Sequence, residues 1–120
     1  MDNKNVLIVG DDLIIQHPIQ ICLKNLGYEV CGTAVTGEKA VASAQKIKPD
    51  SVLMDINLSG KIDGIDAARE IKAHSDARII FLTAFSDEKI IERAKEIQPA
   101  GFILKPFSND TLRVTLELAK

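Results

Sequence analysis

Five short apolar runs, at residues 5 to 9, 29 to 34, 51 to 54, 78 to 83 and 101 to 104, alternate with longer stretches of helical period. The runs are rich in Val and Ile and nearly continuous rather than alternating, the mark of strands covered on both faces. Strands spaced by crossover helices build repeated βα units around a parallel sheet, so the pattern predicts an α/β fold of five strands and five helices.

The first helix should follow Asp12 and turn Ile14, Ile15, Ile19, Cys22, Leu23 and Leu26 inward before stopping at Gly27. Pro18 conflicts with this, because an interior proline removes a backbone bond and clashes one turn back at a cost of about 3 kcal/mol. The helix is therefore expected to start late or kink there. Gly37 to Ile47 predicts a second helix closed by Pro49, and Ile65 to His74 a third entered through Asp63-Gly64. Asp87 to Ile97 predicts a fourth, capped by Ser86 or Asp87 and stopped before Pro99. The last starts at Asn109 or Asp110, with Ser108 also among its capping side chains, and buries Leu112, Leu116 and Ala119.

At 120 residues the chain fits one domain, 1 to 120, with no linker, repeat or low-complexity tract. Folding at this size removes somewhat over about 60% of the unfolded surface from water, enough for a core. Fifteen basic and seventeen acidic residues leave no extended basic stripe, and the five aromatics, Tyr28, Phe81, Phe85, Phe102 and Phe107, are scattered. Direct nucleic-acid binding is disfavoured on both counts. No apolar stretch approaches the ~18 residues of a membrane span, and the start carries no signal-peptide core. The chain is thus expected to be cytoplasmic, without membrane contact. Cys22 and Cys31 lack a CxxC spacing and read as small buried hydrophobes, while His17 and His74 read as helix-surface residues.

Four of the apolar runs end in a polar residue suited to phosphoryl chemistry: Asp11, Asp55, Thr83 and Lys105. In an open parallel sheet, ligands bind outside the carboxyl ends of the strands, where these four side chains would meet. Asp55 is placed as a solvent-facing yet rigidly held nucleophile toward phosphorus, forming an acyl phosphate once the charges are neutralised. Asp11, the Asp55 carboxylate and a backbone carbonyl near Asn57 would offer the oxygen ligands that Mg²⁺ prefers. Two carboxylates about 4 Å apart repel by on the order of 4 kcal/mol at an intermediate dielectric, which favours a cation in the site. Lys105 can pair with Asp55 at rest and with the phosphoryl group afterwards, and Thr83 can donate to another phosphoryl oxygen. Each residue alone has a plainer reading: Asp12 as an N-cap, Asp11 as a turn residue, Thr83 as a strand former, Lys105 as a surface lysine. Their joint placement at four strand ends carries the argument. Gly32, Gly37 and Gly60 form no GxGxxG or GxxxxGK pattern, which argues against a nucleotide site.

The blocks VLIVGDD, SVLMDINLSGKIDGI, IIFLTAFSD and GFILKPF, in this order and spacing along the whole chain, resemble the signature blocks of response-regulator receiver domains of two-component signalling. The resemblance implies a doubly wound, flavodoxin-like five-stranded parallel sheet of order 2-1-3-4-5. It implies that Asp55 is phosphorylated from a histidine kinase in a Mg²⁺-dependent reaction, with Asp11 a direct metal ligand and Asn57 the donor of a backbone carbonyl. By the same resemblance Thr83 and Lys105 match the conserved hydroxyl and lysine, and Lys105-Pro106 a peptide bond that is typically cis. Phe102 matches the switch aromatic, which rotates as Thr83 moves toward the phosphoryl oxygens and remodels the face of helix 4, strand 5 and helix 5. From the residues alone, Phe102 reads equally well as a plain core phenylalanine.

One position departs from the family pattern. Gly10 stands where the family usually has an acidic residue, which implies weaker Mg²⁺ binding unless Asp12 swings in as a ligand. The departure motivates a second reading, a degenerate receiver that binds partners without phosphorylation. A third, a phosphatase similar to haloacid-dehalogenase-like enzymes, is disfavoured because Asp55-Ile56-Asn57-Leu58-Ser59 lacks the second Asp of their DxDx[TV] motif. The implied partners are a histidine kinase, a downstream effector protein or fused output domain, and a second copy docking through helix 4, strand 5 and helix 5.

Overall fold

The computed structural model describes residues 5–10, 13–56, 58, 61–83, 88–105 and 108–118, for 13–16 the backbone alone. Its five strands are β1 Asn5–Val9, β2 Glu29–Ala34, β3 Ser51–Asp55, β4 Arg78–Thr83 and β5 Gly101–Leu104. They alternate with the helices α1 Leu13–Asn25, α2 Gly37–Ile47, α3 Gly64–His74, α4 Glu88–Glu96 and α5 Asn109–Leu118. All strand pairs are parallel, in the order β2-β1-β3-β4-β5. This is the doubly wound architecture that the apolar runs and the family resemblance predict.

Successive side chains of a strand point to opposite faces, so each run feeds two cores. Leu7, Val9, Val52, Met54, Ile79 and Phe81 pack with Ala40 and Ala44 of α2, Ile65, Ala68 and Ile71 of α3, and Ala94 of α4. Val6, Ile8, Leu53, Ile80, Leu82 and Ile103 pack with Ile19, Cys22 and Leu23 of α1 and Leu112 and Leu116 of α5. Burial on both faces explains why the runs carry no polar alternation.

The helix ends follow local chemistry. Thr36 accepts the Lys39 N–H at 3.1 Å to start α2, and Lys48 closes it in the left-handed region (φ 57°) just before Pro49. Asp63 accepts the Asp66 N–H at 2.9 Å to start α3. Ser108 accepts the Thr111 N–H at 3.1 Å to start α5. Gly27 turns the chain out of α1 at φ 92°, a conformation open to glycine.

Several expectations shift. Strand β3 runs one residue further than predicted, because Asp55 still pairs with Leu82. Helix α1 does not start late: it begins at Leu13 and carries Pro18 inside it. Pro18 is exposed, and the burial of Ile19 and Leu23, each worth about 1.5–3 kcal/mol, together with that of Cys22, offsets the lost backbone bond. Helix α4 stops at Glu96, and Gln98 takes a left-handed φ of 54°. Cys22 is buried as expected, whereas Cys31, on the edge strand β2, is only partly so; burial raises the pKa of both thiols. His17 and His74 are exposed, and His74 faces Glu70 at 3.9 Å. Ile14, Ile15, Ser86, Asp87 and Ala119, as capping or core candidates, lie outside the described side chains.

Candidate functional site

The strand register brings the chemistry to one edge. Asp55 is the last residue of β3 and lies beside Leu82, so Thr83 on β4 sits one step beyond it. Thr83 pairs in turn with Leu104, and its carbonyl accepts the Lys105 N–H at 2.8 Å, which fixes where Lys105 leaves β5. From there the Lys105 ammonium reaches across β4 and donates to Asp55 Oδ2 at 2.8 Å. Thr83 is 1% exposed and also holds a polar partner. Three of the four strand-end residues singled out by sequence are thus gathered at the carboxyl edge.

The Asp55 side chain is not solvent-facing as expected. It is 10% exposed, and that of Lys105 17%. A carboxylate so far removed from water is costly without a partner, and the short charge-assisted bond to Lys105 supplies one. The backbone of Asp55 is held from the start of α3. The first residue of α3, Gly64, donates its N–H to Ile56 O at 2.9 Å and lies so close to β3 that a Cβ there would stand 2.1 Å from the Asp55 carbonyl oxygen. Glu38 of α2 holds the approach to α3 by accepting the N–H groups of Lys61 and Ile62 at 2.9 and 3.0 Å. Sequence reading marked Gly64 as a helix entry and missed its close packing against the Asp55 backbone.

Asp11, Asp12, Asn57 and Pro106 lie outside the described residues, and with them most of the Mg²⁺ set and the Lys105-Pro106 bond. Gly10 is buried and donates its N–H to Ala34 O at 2.9 Å, with no side chain to offer a ligand. Among the described residues no group of three or more His, Cys, Asp or Glu gathers to hold a metal. The hard carboxylate oxygens of Asp55 suit Mg²⁺, and a cation arriving there would compete with Lys105 for them. Phe102 is half-buried, its ring 5.6 Å from that of Phe81 at a 45° tilt, on the sheet face that carries α4. A cavity of about 560 Å³, lined by Lys48, Asp50, His74 and Arg78 among others, lies at the amino ends of β3 and β4, away from Asp55.

A family model described as the response regulator receiver domain matches residues 6–117. The chain belongs to the response-regulator receiver family. It is 40% identical over 116 residues to the transcriptional regulatory protein PdtaR of Mycobacterium tuberculosis, a match covering 97% of this chain and 56% of that protein. The chain therefore spans about half the length of that curated relative. It is 37% identical over 105 residues to the chemotaxis protein CheY of Thermotoga maritima, covering 87% of each. The solved signal receiver domain of a modulated diguanylate cyclase from Desulfovibrio desulfuricans superposes with a TM-score of 0.91 at 39% identity, covering 96% of this chain and 91% of that one. Receiver domains are signalling switches rather than conventional enzymes, generally bind Mg²⁺ at the phosphorylation site, and typically work with histidine kinases and output domains. Among the described residues no helix is long and apolar enough to cross a membrane.

Proposed function

We propose that this receiver domain, spanning residues 1 to 120, is a phosphorylation-operated switch with Asp55 as phosphoacceptor. The observation that supports this best is the 2.8 Å contact from Lys105 to Asp55 at the carboxyl edge of the sheet, one strand away from Thr83. An Asp55 oxygen forms a bond to phosphorus while the bond to the kinase histidine nitrogen breaks; that nitrogen leaves with the electron pair, and because the other ring nitrogen of the phosphohistidine carries a proton, the leaving group is a neutral imidazole. Asp11, Asp55 and the Asn57 carbonyl, with Asp12 as a further ligand, would hold Mg²⁺, which supplies neutralising charge for the phosphoryl oxygens. Lys105 follows the negative charge from the carboxylate to the phosphoryl group, and Thr83 donates its hydroxyl to another phosphoryl oxygen. Incubation of the chain with acetyl phosphate and Mg²⁺ followed by intact-mass measurement tests the reading. A single phosphoryl adduct is expected; none would sink it.

The phosphodonor in the cell is a histidine kinase, and the output is a downstream effector or a fused domain, in keeping with the relatives that carry this unit within longer regulators. Leu104, Val114 and Leu118, exposed by 56%, 42% and 81%, lie on β5 and α5 and suit a partner or a second copy on the α4-β5-α5 face. The cytoplasm, where such kinases present their phosphohistidine, is the matching compartment.

Phe102 transmits the change. Movement of Thr83 toward the phosphoryl group empties space on the face it shares with Phe102, and the ring fills it. In the native chain, phosphorylation should alter amide hydrogen exchange across residues 88–118. In Phe102→Ala the difference should shrink at least about fivefold, the lower end of typical coupling strengths. An undiminished difference would leave Phe102 a plain core residue.

Gly10 favours a second reading, a binding module that works without phosphorylation, because the buried glycine brings no acid to the metal. Gly10→Glu should raise Mg²⁺ affinity up to about fivefold, as read by calorimetry, the ~1 kcal/mol upper end of a carboxylate–cation pair within reach of water. Equal affinities would show that Asp12 already fills the role.

A further inference from the structure

Helix α4 is held in an unusual way: among its described residues it fully buries only Ala94, yet it meets α3 along a row of charges. Asp63, Asp66, Arg69 and Lys72 recur every three residues from the N-cap of α3 onward, neighbours one turn apart on its surface. Arg93 of α4 donates to Asp63 Oδ2 at 3.0 Å and to Asp66 Oδ1 at 3.4 Å. Arg69 faces Glu96 at 3.9 Å, and the Lys72 ammonium donates to the carbonyls of Ile97 and Gln98 at 2.6 and 2.7 Å. The two helices therefore run side by side in the same direction, joined by long side chains. Acids at the start of α3 meet a base of α4, and bases further along meet the last residue of α4 and the two carbonyls that follow it.

One of these contacts leads to the phosphoacceptor. Asp63 uses Oδ1 to cap α3 and Oδ2 to receive Arg93. The next residue, Gly64, is hydrogen-bonded to Ile56 O and pressed against the Asp55 carbonyl. We propose that Arg93 is a positioning residue for the Asp55 site, fixing the first turn of α3, and through it the backbone of Asp55 and Ile56, by its hold on Asp63 and Asp66. The proposal rests on Asp55 being the phosphoacceptor. The hydrogen bond to Asp63 holds the Arg93 guanidinium above its ordinary pKa. The Arg93 side chain is 44% exposed and those of Asp63 and Asp66 33% and 42%, so salt screens the contact and its effect is modest.

Phosphorylation rates of the wild-type chain, Arg93→Gln and Arg93→Lys with acetyl phosphate and Mg²⁺, measured at about 20 mM and about 1 M salt, test this. At low salt Arg93→Gln should react about fourfold more slowly than wild type, and Arg93→Lys should recover most of the loss. At high salt the wild-type to Arg93→Gln ratio should fall toward one, because screening removes what the substitution removed. Without phosphodonor, the Gly64 amide should exchange with deuterium about fourfold faster in Arg93→Gln at low salt. Equal low-salt rates, a ratio indifferent to salt, or unchanged Gly64 exchange would each overturn the role of Arg93. No adduct on the wild-type chain would instead overturn the phosphoacceptor reading, and the exchange measurement would still judge the Arg93 linkage to Gly64.

Discussion

Asp55→Asn should abolish the phosphoryl adduct, slowing its formation by at least about 10²-fold, a loss of ~2.7 kcal/mol or more in transition-state stabilisation. The substitution keeps a planar side chain of the same size at the end of β3. It removes the nucleophilic oxygen and the negative charge that Lys105 contacts at 2.8 Å. The amide oxygen of asparagine is a poor nucleophile toward phosphorus, so no residual rate is expected from the same position. Intact mass after exposure to acetyl phosphate and Mg²⁺ reads the result directly. An adduct of wild-type yield on Asp55→Asn would move the chemistry to another side chain and end the present assignment. Mg²⁺ affinity should fall as well, since the variant offers one anionic oxygen donor fewer.

The second large effect is expected at Gly64. By helix propensity alone, Gly64→Ala should stabilise α3 by up to about 1 kcal/mol. Space decides the opposite. The added Cβ would lie 2.1 Å from the Asp55 carbonyl oxygen, 2.8 Å from Ile56 Cα and 2.9 Å from the Asp55 carbonyl carbon. All three are backbone atoms at the end of a buried strand, so no side chain can swing aside. Gly64 is not among the residues of positive φ, so its requirement is one of room rather than of conformation. Overpacking of this kind costs about 1–3 kcal/mol and at times more, and we expect roughly 3 kcal/mol here, a drop of about 10 °C or more in Tm. Urea unfolding of Gly64→Ala measures it. Stability equal to or above wild type would mean that α3 backs away at little cost. Because the displaced atoms belong to the phosphoacceptor, phosphorylation should slow together with the loss of stability.

Much of this molecule is legible without coordinates. Residues 5–9, 29–34, 78–83 and 101–104 form strands over the predicted spans because a strand buried on both faces must be apolar at every position, a local demand visible in composition. Caps are equally local: Asp63 and Ser108 each satisfy an amide three residues ahead, as Thr36 does at the start of α2, where the sequence reading named no cap. The gathering of Asp55, Thr83 and Lys105 was readable because a parallel sheet puts every strand's carboxyl end on the same edge.

Other features depend on atoms far apart in the chain. Pro18 sits inside α1 because burial of Ile19, Cys22 and Leu23 in the core they share with the sheet and α5 outweighs a local penalty, a balance no window of residues contains. The Asp55 carboxylate is met by Lys105, fifty residues away, and its backbone by Gly64 of α3, and neither contact leaves a trace in hydropathy. The charge row of α3 is plain in the order of its residues, yet nothing in that order says that Arg93 stands opposite. Periodicity and capping report which face of an element is dry and where the element ends; the distance between two elements follows from how all of the side chains pack together.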